Sequence, residues 1–241
     1  MSYDVTALPP NQRHWIVRNS NIPMRFFGRD FADIKDETGQ DSPEIIQWVE
    51  DVLSGQIIRH PGGLLTTGVG LLLEGPPGRG KTTMAVTAAM EVVRGLPEED
   101  SEVRKLFHIN PQDLDLNFRP IYYITVADFI ARKKSLFDDS SEERADRQSR
   151  VDGLHGRSTV DAYNVCILVL DDVGKEQGSS YDAVSIEELL RSRYDAGLPT
   201  ILTTNRSRED WAGTYGKAMK SFAYEGFRTV TLEGEDLRSG A

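Results

Sequence analysis

The sequence predicts an α/β fold, a mostly parallel five-stranded sheet with helices on both faces. Three observations predict it. Five short apolar segments alternate with stretches of helical periodicity. The first runs straight into a glycine-rich loop and then a helix, the order that a phosphate-binding loop requires. A later one, VCILVL (Val165 to Leu170), is apolar on both faces, as a central parallel strand must be. The 241 residues, 39% of them hydrophobic, are enough for one large domain with its own core.

Residues 1–40 are polar and turn-rich and read as an N-terminal arm, with an island from Ile22 to Phe27 packing on a body that spans 41–241. Ser42 can cap a helix whose first position is Pro43, with Ile45, Trp48, Val49, Val52 and Leu53 on one face and Gly55 after it. The strand GLLLE (Gly70 to Glu74) follows, then the loop, then a helix from Thr82 that stops near Gly95 and Pro97. An acidic, loop-like insertion occupies Glu98 to Pro120. The strand IYYITV (Ile121 to Val126) leads into a helix near Ala127 carrying Phe129 and Ile130. The charged tract from Asp138 to Arg157 reads as a solvated or mobile segment. Ser185 and Glu188 have capping-box spacing before Leu189, Leu190 and Tyr194. TILTT (Thr200 to Thr204) and RTVTL (Arg228 to Leu232) are the last strands.

The net charge of −10 argues against charge-driven coating of nucleic acid, so any such contact must be a local patch. The sole cysteine, Cys166, sits in an apolar strand and reads as a small core residue, which fits a reducing, cytoplasmic compartment. No apolar run reaches membrane-spanning length, and the first residues lack a signal pattern. His14, His60, His108 and His155 are scattered without metal-ligand spacing.

Gly75-Pro76-Pro77-Gly78-Arg79-Gly80-Lys81-Thr82, followed by Thr83, satisfies the G-x-x-x-x-G-K-[ST] pattern between a strand and a helix. Glycines let the backbone curl its N–H groups around phosphate oxygens, and the helix adds the positive end of its dipole. Lys81 is expected on the β- and γ-phosphates of ATP and the Thr82 hydroxyl on Mg²⁺. About 90 residues later an apolar strand ends in Asp171-Asp172. Alone, that is often a strand meeting a turn; after a phosphate loop, Asp171 is the metal-holding acid and Asp172 the group that orients the attacking water. Asn205, after Thr203-Thr204, is placed to contact both the γ-phosphate and that water, although Thr-Asn after a strand is also ordinary turn chemistry.

These elements and their surroundings resemble the DnaC/DnaI helicase-loader and IstB transposition-helper group of AAA+ ATPases. The matching stretches are NIPMRFF (Asn21 to Phe27), GLLLEGPPGRGKTT, YYITVADFI (Tyr122 to Ile130), ILVLDDVGKE (Ile167 to Glu176), ELLRSRYDAGLPTILTTNRSREDW (Glu188 to Trp211) and VTLEGEDLR (Val230 to Arg238). The resemblance implies a P-loop sheet in the order 5-1-4-3-2 without a C-terminal helical lid. It further implies Mg-dependent ATP hydrolysis and placement of a replicative DnaB-type ring helicase on single-stranded DNA, with self-association when ATP or helicase is present. The compartment it implies is the cytoplasm of a bacterial or phage-infected cell. Arg238 matches a second nucleotide-sensing arginine. The trans-acting arginine of the group falls on Phe222, within Lys220-Ser221-Phe222-Ala223, which leaves Lys220 or Arg228 as substitutes. A separate helicase-binding module is absent from the pattern, which assigns partner contact to the arm or the body. A transposition helper, a weakly turning-over ATP switch and, less compatibly with Asn205, a small-molecule kinase are the alternatives.

Arg132-Lys133-Lys134 could touch a DNA backbone or simply favour a helix end. Arg191 and Arg193 could meet phosphates or the acids Glu187 and Glu188. Trp48 and Trp211 sit in amphipathic contexts and read as core.

Overall fold

The computed structural model describes residues 5–39, 42–57, 68–107, 119–137, 141–158, 163–174 and 179–234. Five strands, β1 (Gly70–Glu74), β2 (Arg119–Thr125), β3 (Val165–Val173), β4 (Thr200–Thr204) and β5 (Phe227–Thr231), pair in parallel in the order β2-β3-β4-β1-β5. Read from the other edge this is the expected 5-1-4-3-2. The helices are α1 (Pro10–His14), α2 (Phe31–Thr38), α3 (Pro43–Leu53), α4 (Lys81–Gly95), α5 (Asp100–Leu106), α6 (Val126–Ser135), α7 (Ser141–His155), α8 (Ser180–Asp195) and α9 (Trp211–Gly226).

Strand alternation divides the interior into two cores. Leu71, Leu73, Ile121, Tyr123 and Ile201 face one, with α3, α4 and the arm residues Trp15, Ile16 and Ile22. Leu72, Tyr122, Ile124 and Leu202 face the other, with Phe129, Leu189, Trp211 and Phe222. Trp48 and Trp211 are both fully buried, and so is Cys166, whose thiol burial pushes up to about 12. The arm is joined to β2 by main-chain contact, the Tyr123 amide donating to the Ser20 carbonyl at 2.7 Å.

Four local expectations change. Ser42 precedes α3 and Pro43 opens it, but the cap is the main chain alone; the Ser42 side chain makes no cap hydrogen bond. Within the insertion, Asp100–Leu106 is helical because Val103 finds a buried seat, and β2 begins at Arg119; residues 108–118 lie outside the described part. Within the charged tract, Ser141–His155 forms α7, whose buried side chains among the described residues are Val151, Leu154 and His155, so it shows little apolar rhythm. The cap of α8 is Ser179, whose hydroxyl accepts from the Asp182 amide at 3.1 Å, while Ser185 is a buried interior residue.

Candidate active site

β1 delivers the chain to the loop at its C-terminal end. Gly75, Gly78 and Gly80 adopt φ of +143°, +81° and +73°, values that side-chain-bearing residues seldom adopt. At Gly75 a Cβ would also lie 2.3 Å from the Leu232 carbonyl oxygen, just past β5, so the loop turns there only with glycine. Gly80 caps α4 and no side chain caps its first amides, leaving that end of a 15-residue helix to an anion. Lys81 is buried, and its Nζ donates to the carbonyls of Gly75 (2.9 Å) and Pro76 (2.7 Å), folding the ammonium back over the loop. The Arg79 Nε and Nη1 are buried without a hydrogen-bond partner among the described residues. Buried cationic donors of this kind are expensive unless an anion meets them.

The acids arrive on β3. Asp171 is buried and accepts three side-chain hydrogen bonds: from Thr82 Oγ1 (2.9 Å), Thr203 Oγ1 (2.5 Å) and Tyr123 OH (2.7 Å). The Thr82 contact joins the first residues of α4 to β3, and the Thr203 contact joins β3 to β4. Burial, then the charge and hydrogen bond of Asp171, hold the Tyr123 hydroxyl firmly in its protonated, donating form. At Asp172 the strand breaks register in a bulge, with φ of +64°, and its amide donates to Thr203 Oγ1 at 2.9 Å. Across the bulge Asp171 is buried and Asp172 half-buried. Asn205 follows β4 directly, one residue past Thr204, whose register partner is Val173 at the end of β3. Thr82, Asp171, Asp172 and Asn205 thus converge on the C-terminal ends of adjacent strands, where open α/β sheets bind ligands.

This donor set fits a nucleotide with its magnesium. A hydroxyl and one carboxylate suffice for a Mg²⁺ whose other ligands are phosphate oxygens and water. No cluster of three metal-ligating side chains exists among the described residues.

The other expected residues are placed as follows. Phe222 is buried, edge-on to Tyr194 (5.4 Å) and Phe227 (6.0 Å), with the Arg191 guanidinium 4.7 Å above its ring. Arg191 also pairs with Glu187 at 2.8 Å. Arg228 forms an ion pair with Asp51 of α3, and Lys220 is half-buried on α9. Lys133 and Lys134 are held by Glu188 and Asp182, each at 2.9 Å, while Arg132 donates to the Tyr122 hydroxyl at 3.1 Å. Arg193 meets neither phosphate nor acid; it is fully buried and donates to five oxygens of the fold. Arg238 lies outside the described residues.

Two site residues escaped the sequence reading. Tyr123 was one of two adjacent tyrosines in a strand, and only the alternation that puts it on the α4 face separates it from Tyr122. Arg206, next to Asn205, reaches Thr214 at 2.7 Å, and its side chain crosses the Gly174 turn after β3.

Comparison with family models and with curated protein sequences finds no match. Solved structures do match. The DnaC helicase loader is similar over 88% of this chain and 100% of its own, with 20% identity and a TM-score of 0.55. DnaI is similar over 91% of this chain and 95% of its own, with 17% identity and a TM-score of 0.56. The chain therefore has the P-loop α/β fold of the DnaC and DnaI helicase loaders, with the sheet in the order 5-1-4-3-2.

Proposed function

We propose that the chain binds MgATP at the Gly75–Thr83 loop and uses it to place a replicative ring helicase on single-stranded DNA. The observation that carries the reading is the bonded set Thr82–Asp171–Thr203 beside an uncapped helix start, in a fold shared with two helicase loaders. Lys81 would leave the Gly75 and Pro76 carbonyls for phosphate oxygens. Thr82 would exchange its bond to Asp171 for the metal, with Asp171 holding that metal through its water shell. ATP, when bound, supplies the phosphoryl group; Asp172 holds or accepts the proton of the attacking water, and Asn205 orients it.

The arm, residues 1–40, is the proposed partner contact. It carries exposed apolar side chains, Met24 at 81% and Val17 at 50% exposure, on a segment whose other face is locked into the core. Any DNA contact by Lys133 or Lys134 must first displace Glu188 or Asp182, so Arg132 is the better candidate of the three.

A second reading has its own observation. The aligned arginine is replaced by buried Phe222, and Arg228 is engaged with Asp51. ATP would then act as a conformational switch with slow turnover, any trans-acting cation coming from Lys220 or from Arg191 above the Phe222 ring. Affinity capture of the full chain with ATP and a replicative helicase tests the main reading, with steady-state hydrolysis measured in parallel. Recovery of helicase supports it; recovery of a transposase in its place favours the transposition helper; helicase recovery without turnover favours the switch.

A further inference from the structure

A second cluster of cations surrounds a cavity at the other end of the sheet. All five strands are parallel, and the loop leaves β1 at its C-terminal end, whereas Arg119 is the first residue of β2. Beside it lies a cavity of about 360 Å³ lined by Arg119, Arg132, Arg147, Arg150 and Tyr122, and, among the described residues, by no acidic one. Its volume falls within the roughly 300–1,000 Å³ of small-molecule sites.

The four guanidinium groups come from β2, α6 and α7. The last is seated closely: at Gly153 a Cβ would lie 2.1 Å from the Tyr163 carbonyl oxygen, so only glycine lets α7 approach here. Aromatic rings hold three of the arginines. Arg119 lies 5.2 Å from the Tyr122 centroid and 5.7 Å from that of Tyr163, Arg150 lies 4.7 Å from Tyr163, and Arg132 lies 5.8 Å from Tyr122.

Carboxylates account for only part of this charge. Asp146 pairs with Arg150 at 2.7 Å and Glu143 with Arg147 at 3.7 Å, both along α7 itself. Arg119 and Arg132 have no carboxylate partner among the described residues. Burial lowers the Arg119 guanidinium from its ordinary range, with repulsion from Arg150 and Arg132 adding to it and Tyr122 opposing. In a chain of net charge −10, gathering four arginines around one acid-free cavity is a cost that an anion would offset.

We propose that this cavity is a second anion site, taking the di- or triphosphate group of a free nucleotide, separate from the Gly75–Thr83 loop. Planar guanidinium forks suit phosphate oxygens in bidentate pairs, and a compact cavity suits a small ligand better than a strand.

Titration calorimetry with inorganic pyrophosphate tests it, on the full chain carrying Lys81→Ala so that the loop competes less. The expected result is saturable binding that weakens by about tenfold or more in the further variant Arg119→Gln/Arg150→Gln, since each charged hydrogen bond is worth roughly 1.5–3 kcal/mol. Lys133→Gln/Lys134→Gln should leave binding unchanged. Arg147→Gln/Arg150→Gln, on the exposed side of α7, gives the same readout where the Arg119 variant does not fold. Absence of heat at millimolar pyrophosphate overturns the proposal, as does binding indifferent to both arginine variants. Arginine-dependent binding of a single-stranded oligonucleotide without binding of pyrophosphate also overturns it, and reassigns the cavity to nucleic acid. Because the readout is the dependence on the cavity arginines, which lie away from the loop, failure here leaves the MgATP reading untouched, and failure of ATP to bind the unmodified chain leaves this proposal untouched.

Discussion

Replacing Arg193 by lysine should destabilise the fold severely while leaving nucleotide affinity intact. Arg193 Nε donates to Thr200 Oγ1 (2.8 Å), Nη1 to the carbonyls of Leu154 (2.8 Å) and Val165 (3.0 Å), and Nη2 to those of Cys166 (2.8 Å) and Pro199 (3.0 Å). All five N–H groups are used, and they tie the start of β3, the start of β4 and the end of α7 to α8. Burial with no carboxylate partner lowers the guanidinium to about 9, so the oxygens alone compensate its desolvation. A lysine offers three donors from a single point and cannot span this fork, which leaves at least two buried acceptors unpaired. At roughly 1–3 kcal/mol for each, two of them cost about 2–6 kcal/mol. For a chain of this size that lowers the melting temperature by about 10 °C. Chemical denaturation reads the stability, and ATP titration at low temperature reads the site, which lies at the opposite ends of the strands. Stability within about 0.5 kcal/mol of wild type would refute the structural role. A loss of ATP affinity with unchanged stability would instead return Arg193 to phosphate binding.

Two further outcomes follow from buried polar groups. His155 is 1% exposed with neither ring nitrogen hydrogen-bonded among the described residues, and burial, then repulsion from Arg157, lowers it from 6.5 to about 3. Its neutral form is favoured on folding, so its contribution is intact above pH 6.5 and is lost as pH falls toward 3. Between pH 6.5 and 5 this amounts to about 2 kcal/mol. Glu188, lowered to about 2 by Lys133 and Arg157, adds its own loss only below pH 4.5. His155→Leu should therefore flatten the pH dependence of stability between 6.5 and 5; an unchanged slope contradicts this. Tyr123→Phe removes one of three donors to Asp171 and should cost roughly 1.5–3 kcal/mol in nucleotide-free protein, read by denaturant titration. The same variant should weaken the Mg²⁺ dependence of ATP binding, and normal values in both assays would remove Tyr123 from the site.

The sheet and the loop were legible because their signals are local. Five apolar runs, a glycine pattern and two terminal acids lie within short windows, and parallel pairing brings Thr82, Asp171 and Thr203 together once β1, β3 and β4 are adjacent. Features assembled from distant segments were not legible. Arg193 is met by carbonyls from residues 154, 165, 166 and 199, and main-chain oxygens carry no sequence signature. The four arginines of the second cavity sit in three elements, one of them a helix whose narrow buried face, Val151, Leu154 and His155, made it read as solvated. The α8 cap is ambiguous in sequence because Ser179-x-x-Asp182 and Ser185-x-x-Glu188 have the same spacing, and only the first lies at the helix start.

The central claim is that the Gly75–Thr83 loop, with Asp171, holds MgATP. Equilibrium binding of ATP to the unmodified chain and to Lys81→Ala, with and without Mg²⁺, tests it most directly. The account predicts Mg²⁺-enhanced binding to the unmodified chain, weakened by about tenfold or more when Lys81 is lost, because that ammonium's charged contacts are each worth roughly 1.5–3 kcal/mol. Equal affinity of the two proteins for ATP would contradict it.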